Sequence, residues 1–296
     1  MDHYLLGVLR ETTGFIEDHL LEPLDLDRIS DHVNLSKFHL LRIWRGATST
    51  GLMEYVRRRR IALSLGDLLG GRYSIERLSE RYGFGSERSY QRAFHDEFGT
   101  TPVRWRRHPV PLDILDQFNP DFFRLAGEGL ACLRSITIVP GFSIAGPVYA
   151  VDIRENQETQ IANRLGNAFF HDKRKEILNP VARDIYFGLS TVPDPNASWT
   201  RYQPALQVDR NSILPQGMTE TYVPAHKYGV FTYMGLHRPE EISSRTLQEL
   251  WEMVYGSWMP TVEITTDPAF HYERIDYARC SKQYCECELY FPICQI

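Results

Sequence analysis

The sequence predicts two domains: an all-α domain with two helix-turn-helix subdomains, then an α+β domain built from a duplicated β-β-α-β-type unit. Three observations support this fold class: the length of 296 residues, an internal repeat in the basic N-terminal part, and a change to strand patterns further on. The predicted bounds are 1–108 for the first domain, 109–130 for a linker and 131–296 for the second domain. The two subdomains are expected at about 26–50 and 75–100.

The charge is distributed unevenly along the chain, although the net charge is only −5. Between Arg28 and Arg107 there are 16 Lys and Arg against 8 Asp and Glu, whereas from Pro109 onward there are 16 against 23. An excess of cationic side chains in one part of a chain is typical of a surface that meets a polyanion. The first domain is therefore expected to bind nucleic acid and the second is not.

Several classes of protein are excluded by what the sequence lacks. The N-terminus "MDHYLLGVLRETTGF" has no apolar signal-peptide core, and no stretch reaches 18 uninterrupted apolar residues, so a cytoplasmic protein without a membrane partner is expected. The five cysteines form no CxxC pair, and no P-loop, Rossmann glycine run or GxSxG motif is present. We therefore expect no metal, no cofactor and no enzymatic activity.

The repeat in the first domain predicts the two subdomains. It consists of "LDRISDHVNLSKFHLLRIWRGATSTGLMEYVRR" and "IERLSERYGFGSERSYQRAFHDEFGTTPVRWRR". In each copy a short helix is followed by a turn, a serine N-cap (Ser36 or Ser86) and a second amphipathic helix. The segment "EYVRRRRIALSLGDLL" predicts a longer helix that joins the copies and ends at the Gly70–Gly71 pair.

The second helix of each copy has a buried face and an outward face. Leu40, Ile43 and Trp44 have core spacing in the first copy, as Tyr90 and Phe94 do in the second. Arginine on an outward face can bond guanine bidentately in the major groove, and an exposed apolar side chain can contact a thymine methyl group. A simple solvated face is the alternative, but two copies in a basic segment favour DNA binding. The outward residues are Phe38, Leu41, Arg42 and Arg45, then Glu87, Arg88, Ser89, Gln91, Arg92 and His95.

The segment "GFGSERSYQRAFHDEFGTTPVRWRR" resembles the signature of AraC/XylS-type transcription activators, and the resemblance covers about residues 1–107. It implies a monomer that binds double-stranded promoter DNA through two recognition helices in successive major-groove faces and contacts RNA polymerase. Two residues depart from the family pattern: Leu41 replaces a glutamine and Ser49 a common glycine. By position, the implied base-contacting residues are Phe38, Leu41, Arg42, Arg88, Ser89 and Arg92, and further DNA contacts are expected from Ser36, Lys37, Arg45, Ser86, Gln91, His95 and Arg57.

The second domain is expected to alternate strands and helices. "SITIVPGFSIAGPVYAVDI", "ARDIYFGLSTV", "YGVFTYMGL" and "CECELYFPI" read as strands, whereas "IANRLGNAFFHDKRKEIL" and "ISSRTLQELWEMVYGSW" read as helices. Residues 133–294 resemble the GyrI-like small-molecule-binding domain. A DNA-binding domain placed before such a domain resembles the Rob subgroup of the AraC/XylS family.

The strand "CECELYFPI" and nearby aromatic residues predict a ligand site. Alternation places Cys287 and Leu289 on one face and Glu288 and Tyr290 on the other, where a cleft is expected. Aromatic rings with one or two acids suit a lipophilic cation, although core packing of the rings and solvent exposure of the acids are the alternative. The GyrI-like resemblance implies a buried glutamate and favours Glu288 and Glu273, with Glu263 weaker. The predicted ligand residues are Tyr228, Tyr233, Trp251, Tyr255, Trp258, Tyr272, Glu273, Glu288 and Tyr290.

These observations together predict a DNA-binding transcription activator whose second domain senses a small, lipophilic cationic effector. Two alternatives remain open on the sequence alone. The second domain could hydrolyse electrophilic small molecules with a similar cage of acids and rings, or the protein could sequester drugs while contacting DNA incidentally.

Overall fold

The computed structural model describes residues 4–192, 197–258, 264–266 and 270–295, without the side chains of 244–245, 257–258, 264–266 and 294–295. The chain divides into two compact units, Met1–Phe122 and Phe123–Ile296. The division falls within the stretch 109–130, for which the sequence predicts a linker. Residues 109–119 contain no helix or strand.

The first unit is helical, as the sequence predicts. Capping side chains mark the start of most of its helices. Asp25, Ser36, Ser74 and Ser86 each accept a backbone N–H at a helix start. The helices are α1 (Tyr4–Asp18), α2 (Leu26–His32), α3 (Lys37–Thr48), α4 (Leu52–Gly70), α5 (Ile75–Arg81), α6 (Glu87–Phe98) and α7 (Pro102–Arg107).

Two helix-turn-helix subdomains are present, α2–α3 and α5–α6, joined by α4. Their turns place Asn34 and Gly83 at positive φ, 53° and 68°. The two second helices also end alike, because Ser49 after α3 and Gly99 after α6 are both left-handed, at φ 61° and 67°. The repeat in the sequence is thus a repeat of backbone geometry.

Buried side chains hold each second helix to its subdomain. Trp44 on α3 and Tyr90 and Phe94 on α6 are fully buried. Around α6, Tyr90 and Phe94 pack with Trp105 of α7 and with Ile61 and Leu68 of α4. The predicted core faces of both helices are confirmed.

The second unit contains an antiparallel sheet of 11 strands within the described residues. Its order is β1-β2-β8-β11-β10-β5-β6-β3-β7, with β4 also pairing β6 and β9 also pairing β11. The strands are β1 (Arg124–Ala126), β2 (Gly129–Val139), β3 (Phe142–Gly146), β4 (Tyr149–Asp152), β5 (Ile185–Thr191), β6 (Trp199–Val208), β7 (Thr219–Val223), β8 (His226–Gly235), β9 (Ile264–Thr266), β10 (Phe270–Asp276) and β11 (Cys285–Gln295). The helices are α8 (Ile153–Thr159), α9 (Ile161–His171) and α10 (Ser244–Met253).

The two faces of this sheet carry different clusters. Cys287, Leu289 and Phe291 of β11 pack with residues of α9 and α10, such as Phe169 and Leu250, in the main core. On the other face, Tyr228, Tyr272 and Tyr290 belong to a second apolar cluster. Strand alternation therefore determines which side chains of β10 and β11 face the helices.

Candidate DNA-recognition face and effector cavity

The outward face of α3 exposes apolar side chains beside arginines. Phe38 is 71% exposed and Leu41 is 36% exposed, although both are large and apolar. The guanidinium of Arg42 lies 4.5 Å from the centroid of the Phe38 ring, a cation–π contact that holds both groups on the surface. Arg45 is exposed one turn further on. This face can offer a DNA groove both apolar contact and positive charge.

Two predicted contact residues at the start of α3 already have protein partners. Ser36 accepts the backbone N–H of His39, at 3.3 Å. Lys37 forms an ion pair with Asp27, which raises the pKa of the ammonium group. The Ser36 hydroxyl and the Lys37 ammonium group are thus both engaged by partners within the first unit.

The outward face of α6 is more polar than that of α3. Arg88, Arg92 and His95 are exposed, and Arg92 lies 3.9 Å from Asp96 one turn later. Gln91 is half-buried and donates to the Glu87 carboxylate at 2.6 Å. The two arginines are therefore the outward donors of this helix best placed to reach a base edge.

Ser86 and Ser89 form a capping box at the start of α6. The Ser86 hydroxyl accepts the Ser89 N–H at 3.1 Å, and the Ser89 hydroxyl both accepts the Ser86 N–H and donates to the Ser86 carbonyl at 2.8 Å. The hydroxyl of Ser89 thus stabilises its own helix, which limits the hydrogen bonds that it can offer to a base.

The four consecutive arginines of α4 divide into two pairs. Arg59 and Arg60 are buried, whereas Arg57 and Arg58 are half-buried beside α6. Arg57 donates to the Ala93 carbonyl at 3.5 Å, and Arg58 to the Glu97 carboxylate at 2.9 Å. The run is therefore largely a packing feature of the linking helix, and Arg57 and Arg58 are the two members that remain partly exposed.

The second unit contains a cavity of about 340 Å³ between the helices and the sheet. Its wall includes Trp251 of α10, His271 and Glu273 of β10, and residues of α8 and α9. Tyrosines provide much of the remaining wall: Tyr186, Tyr202 and Tyr277. An apolar, aromatic cavity with one carboxylate is typical of a small-molecule site.

Glu273 is the acid of this cavity. The Tyr202 hydroxyl donates to Glu273 Oε1 at 3.0 Å, and the Tyr186 hydroxyl lies within hydrogen-bond distance of the Tyr202 hydroxyl. Burial nevertheless raises the pKa of the Glu273 carboxyl to about 7, because desolvation outweighs these hydrogen bonds. Without a ligand, burial therefore favours the protonated form of this group more than in an exposed glutamate.

Two glycines allow this arrangement. Gly188 of β5 is paired with Glu273, and a Cβ at residue 188 would lie 2.2 Å from Glu273 Oε1. On α9, a Cβ at Gly166 would lie 2.5 Å from the Tyr186 hydroxyl. The carboxyl and the phenols therefore occupy space that only glycine leaves open.

His271 adds a neutral ring to the wall. Burial lowers the pKa of this histidine to about 3, and its ring meets that of Trp251 edge-on at 4.0 Å. The imidazole is therefore uncharged at physiological pH. Because it carries no positive charge, it does not oppose a cationic ligand.

The predicted ligand residues do not form one cage. Trp251 and Glu273 line the cavity, but Tyr228, Tyr272 and Tyr290 lie in the cluster on the opposite face of the sheet. The side chain of Trp258 lies outside the described residues, as does Glu263. The cage predicted across both faces is thus corrected, since consecutive residues of a strand face opposite sides of the sheet.

Two further predicted ligand residues lie on the helix side without lining the cavity. Tyr233 is fully buried, and its hydroxyl bonds His237 Nε2 at 2.7 Å. Tyr255 is 39% exposed and stacks on Trp251, with ring centroids 5.8 Å apart. Tyr255 therefore supports the cavity wall through Trp251, whereas Tyr233 belongs to the main core.

Glu288 occupies a different environment from that of Glu273. It forms ion pairs with Arg134 and with Arg274, the latter at 2.9 Å, and accepts the Tyr290 hydroxyl at 3.0 Å. Two guanidinium groups already neutralise this carboxylate, so it is not available as the counter-charge of a ligand. Of the two predicted glutamates, Glu273 is therefore the better candidate for the counter-charge of a ligand.

Two family models match the chain. A helix-turn-helix domain model matches residues 29–108, and a model of the integron-associated effector binding protein matches residues 135–293, more than half of the chain. The right origin-binding protein of Escherichia coli (strain K12) is 25% identical over 303 aligned positions, covering 97% of this chain and 98% of that protein. The chain is a Rob-like member of the AraC/XylS family. Its second unit belongs to the integron-associated effector-binding family.

Two further comparisons cover one unit each. The multiple antibiotic resistance protein MarA of Salmonella typhimurium is 35% identical over 107 residues, covering 33% of this chain and 84% of that protein. The solved structure of SAV2435 bound to tetraphenylphosphonium is 13% identical, covers 54% of this chain and 93% of that chain, and has a TM-score of 0.39.

This AraC/XylS-family chain is a transcription activator with a C-terminal effector-binding domain. The predicted fold class, an all-α double helix-turn-helix domain followed by an α+β GyrI-like domain, is confirmed, and the second domain is an antiparallel sheet with helices. In the described part of the chain, no helix combines the length and the apolar character needed to cross a lipid bilayer. The same part contains no group of three or more His, Cys, Asp or Glu side chains able to hold a metal ion.

The cavity residues that the sequence did not predict include Tyr186, Tyr202, His271 and Tyr277. Tyr186 and Gly188 alternate on β5, and β5 pairs β10 with Gly188 opposite Glu273. The available signal was an i, i+2 pair of tyrosine and glycine in a predicted strand, but the partner strand lies more than 80 positions away. Sequence patterns do not fix such a long-range register.

Proposed function

We propose that this AraC/XylS-family regulator binds a lipophilic cation in the cavity around Glu273 and activates transcription as a monomer on an asymmetric DNA site. In this proposal it acts in the cytoplasm, contacts RNA polymerase through its DNA-bound form, and catalyses no reaction. The part of the proposal that concerns the effector rests on one observation, the buried Glu273 carboxyl within an aromatic cavity wall. The outward faces of α3 and α6 support the DNA half.

The DNA half assigns different contacts to the two helices. On α3, Phe38 and Leu41 contact apolar groups such as thymine methyls, and Arg42 and Arg45 supply hydrogen bonds or charge. On α6, Arg88 and Arg92 contact base edges. Ser36, Lys37, Ser86, Ser89, Gln91 and His95 position these helices or contact the backbone, and Arg57 contacts phosphate.

A cation fits the cavity for an electrostatic reason. A carboxyl whose pKa is near 7 is held partly neutral by burial, and a positive charge within a few ångström favours its ionised form. The faces of Trp251, Tyr186 and Tyr202 can each contribute about 0.5–2 kcal/mol of cation–π attraction, depending on their geometry and hydration. An anion would meet an acid and no cationic side chain among the described cavity residues.

Binding of tetraphenylphosphonium to the full chain tests the effector half. Isothermal titration calorimetry should show binding to the wild type and about tenfold or weaker affinity for Glu273→Gln, since tenfold corresponds to about 1.4 kcal/mol. Neutral tetraphenylmethane, which has the same four phenyl rings without the charge, should bind more weakly than the phosphonium. Equal affinity of the wild type and Glu273→Gln for the cation would contradict the proposal.

Glu288→Gln is the matched control, because it makes the same chemical change on the other face of the sheet. It should leave the affinity for tetraphenylphosphonium within about twofold, although it removes a charge from between Arg134 and Arg274. A loss confined to Glu288→Gln would instead place the ligand in the second apolar cluster.

A further inference from the structure

The segment 109–122, which follows α7, lies against the first unit although it forms no long element. Every third residue of its middle part, Leu112, Leu115 and Phe118, is half-buried, and Pro120 is buried. Leu112 packs on the core of the second helix-turn-helix subdomain. The first part of this segment therefore packs on the subdomain that contains α6. We name residues 109–122 the strap.

The strap continues onto the first subdomain through two hydrogen bonds to the inner side of α4. Arg59 donates to the Leu115 carbonyl at 2.8 Å, and the Phe118 N–H donates to the Tyr55 hydroxyl at 3.0 Å. Glu17 of α1 accepts from both Tyr55 and Arg59, at 2.6 and 2.9 Å. These bonds tie the strap to α1 and α4 together.

The end of the strap reaches the core of the recognition helix α3. The Phe118 ring meets the Trp44 ring edge-on, with centroids 5.4 Å apart. Trp44 is fully buried on α3, the helix whose outward face carries Phe38 and Arg42. Three residues after Phe118, Asp121 accepts two hydrogen bonds from Arg10 of α1, at 2.9 and 2.7 Å. A shift of the strap therefore acts directly on the packing beneath α3.

A few residues after the strap, the chain contacts a helix that lines the effector cavity. Strand β1 begins at Arg124, and the turn after it places Gly127 against the start of α10. The Gly127 N–H donates to the Glu249 carboxylate at 2.6 Å, and a Cβ at Gly127 would lie 2.3 Å from Thr246 Oγ1. The same helix lines the cavity with Leu247, Gln248 and Trp251.

We propose that the strap couples the effector cavity to the recognition helix α3, so that occupancy of one changes the affinity of the other. This inference rests on the proposed function, because it gives that cavity its regulatory output. A ligand against Trp251 acts on α10, α10 holds Gly127, and only a few residues separate Gly127 from the strap. Phe118 then acts as a positioning residue for α3 through Trp44.

Thermodynamic linkage makes the coupling measurable from the DNA side without any effector. If the two sites are coupled, DNA binding at α3 must change the affinity of the cavity for its effector by the same factor as the effector changes the affinity for DNA, and in this proposal both changes pass through α10. Local opening of a helix is reported by the exchange of its backbone amides. The exchange rate of α10 on DNA binding is therefore a direct readout.

Hydrogen exchange of the full chain, followed by mass spectrometry, provides the test. The DNA probe is a duplex selected by the wild-type chain from a random-sequence pool. In the wild type, this duplex should change the exchange of the peptides that contain residues 124–127 and 246–253. Loss of that change is expected in Phe118→Ala, although the protein still binds the duplex. An α10 peptide that the duplex leaves unchanged in the wild type would overturn the proposal.

Phe122→Ala is the matched control, since it removes the same ring from a strap residue that is 74% exposed. It should retain the wild-type exchange response. Should Phe118→Ala fail to fold, Asp121→Asn tests the attachment of the strap to α1, because it removes the charge from an exposed contact with Arg10. The same exchange response in Asp121→Asn and in the wild type would then argue against the strap as the route.

Tetraphenylphosphonium separates this inference from the proposed function. If the cavity binds it and the strap couples the sites, its affinity should differ by about fivefold or more between the free and the duplex-bound wild type. Binding that is unaffected by the duplex overturns the coupling alone. No binding to the wild type overturns the cation proposal, and the exchange response still tests the strap.

Discussion

Arg60 of α4 donates a hydrogen bond to the carbonyl of Gly83, 2.8 Å away, in the turn of the second helix-turn-helix subdomain. The same guanidinium donates to the carbonyls of Leu20 and Glu22, both at 2.7 Å, at the end of the first helical region. It is buried, and three carbonyl oxygens replace its water. One side chain thus ties together the segments before α2 and before α6.

Gly83→Ala should destabilise the helical unit by about 1–3 kcal/mol, since the residue combines a positive φ with close contact to Arg60. Gly83 has φ 68°, and a Cβ there would lie 2.8 Å from Arg60 Cζ. Differential scanning calorimetry should show a lower melting temperature for this unit. Gly85→Ala is the control, because a Cβ added at Gly85 would meet no atom within 4 Å and the φ of this residue is not positive. Similar losses in both variants would refute the packing explanation.

Arg92→Ala should relax sequence preference, whereas Arg57→Ala should weaken binding to all sequences evenly. Loss of a base contact by Arg92 should reduce discrimination by about 1–3 kcal/mol, and loss of a phosphate contact by Arg57 should lower the salt slope by about one. Affinities for selected and scrambled duplexes at several salt concentrations measure both effects. If the two variants lose affinity equally on both duplexes, the assignment of the α6 face is wrong.

The affinity for a lipophilic cation should depend on pH through Glu273. A bound cation favours the carboxylate, so its pKa in the complex lies below the value of about 7 in the free protein. Affinity should therefore be constant above about pH 7 and fall by up to about tenfold per pH unit below it. Calorimetric titration with tetraphenylphosphonium at pH 6 and 8 checks this, and Glu273→Gln should show no such dependence.

The same carboxyl should make the free protein less stable as pH rises. Its folded-state pKa is raised from 4.5 to about 7, so its stabilising contribution is full below about pH 4.5 and is lost as pH rises to about 7. The gap corresponds to about 3 kcal/mol as an upper bound. Glu273→Gln should therefore melt at a higher temperature than the wild type at pH 8 and at a similar temperature near pH 5. A lower melting temperature of this variant at pH 8 would contradict the burial argument.

The sequence predicted the recognition helices because their determinants are local. A serine cap, a turn and a spacing of three to four residues between apolar side chains lie within one short segment, and both copies show them. The inward direction of Arg59 and Arg60 follows only in part from the helical period. At least one of four consecutive helical residues must face inward, but the period does not show which members find carbonyls or Glu17 as partners.

The cavity was predicted less well because it depends on contacts between distant strands. Glu273 and Glu288 look alike in sequence, since each alternates with apolar residues in a strand. Their environments differ because α9 and α10 cover one face of the sheet, whereas Arg134 and Arg274 meet Glu288 on the other. Neither the covering helices nor the register of β5 against β10 can be deduced from local spacing.

Because Gly188 has no side chain, substitutions at this position provide a genetic test of the effector response. Any larger residue there would displace the Glu273 carboxyl from its present position, while the strand that contains it keeps its backbone pairing. Selection for mutants that no longer respond to inducing compounds should thus recover substitutions at codon 188, and such alleles should still occupy their promoters.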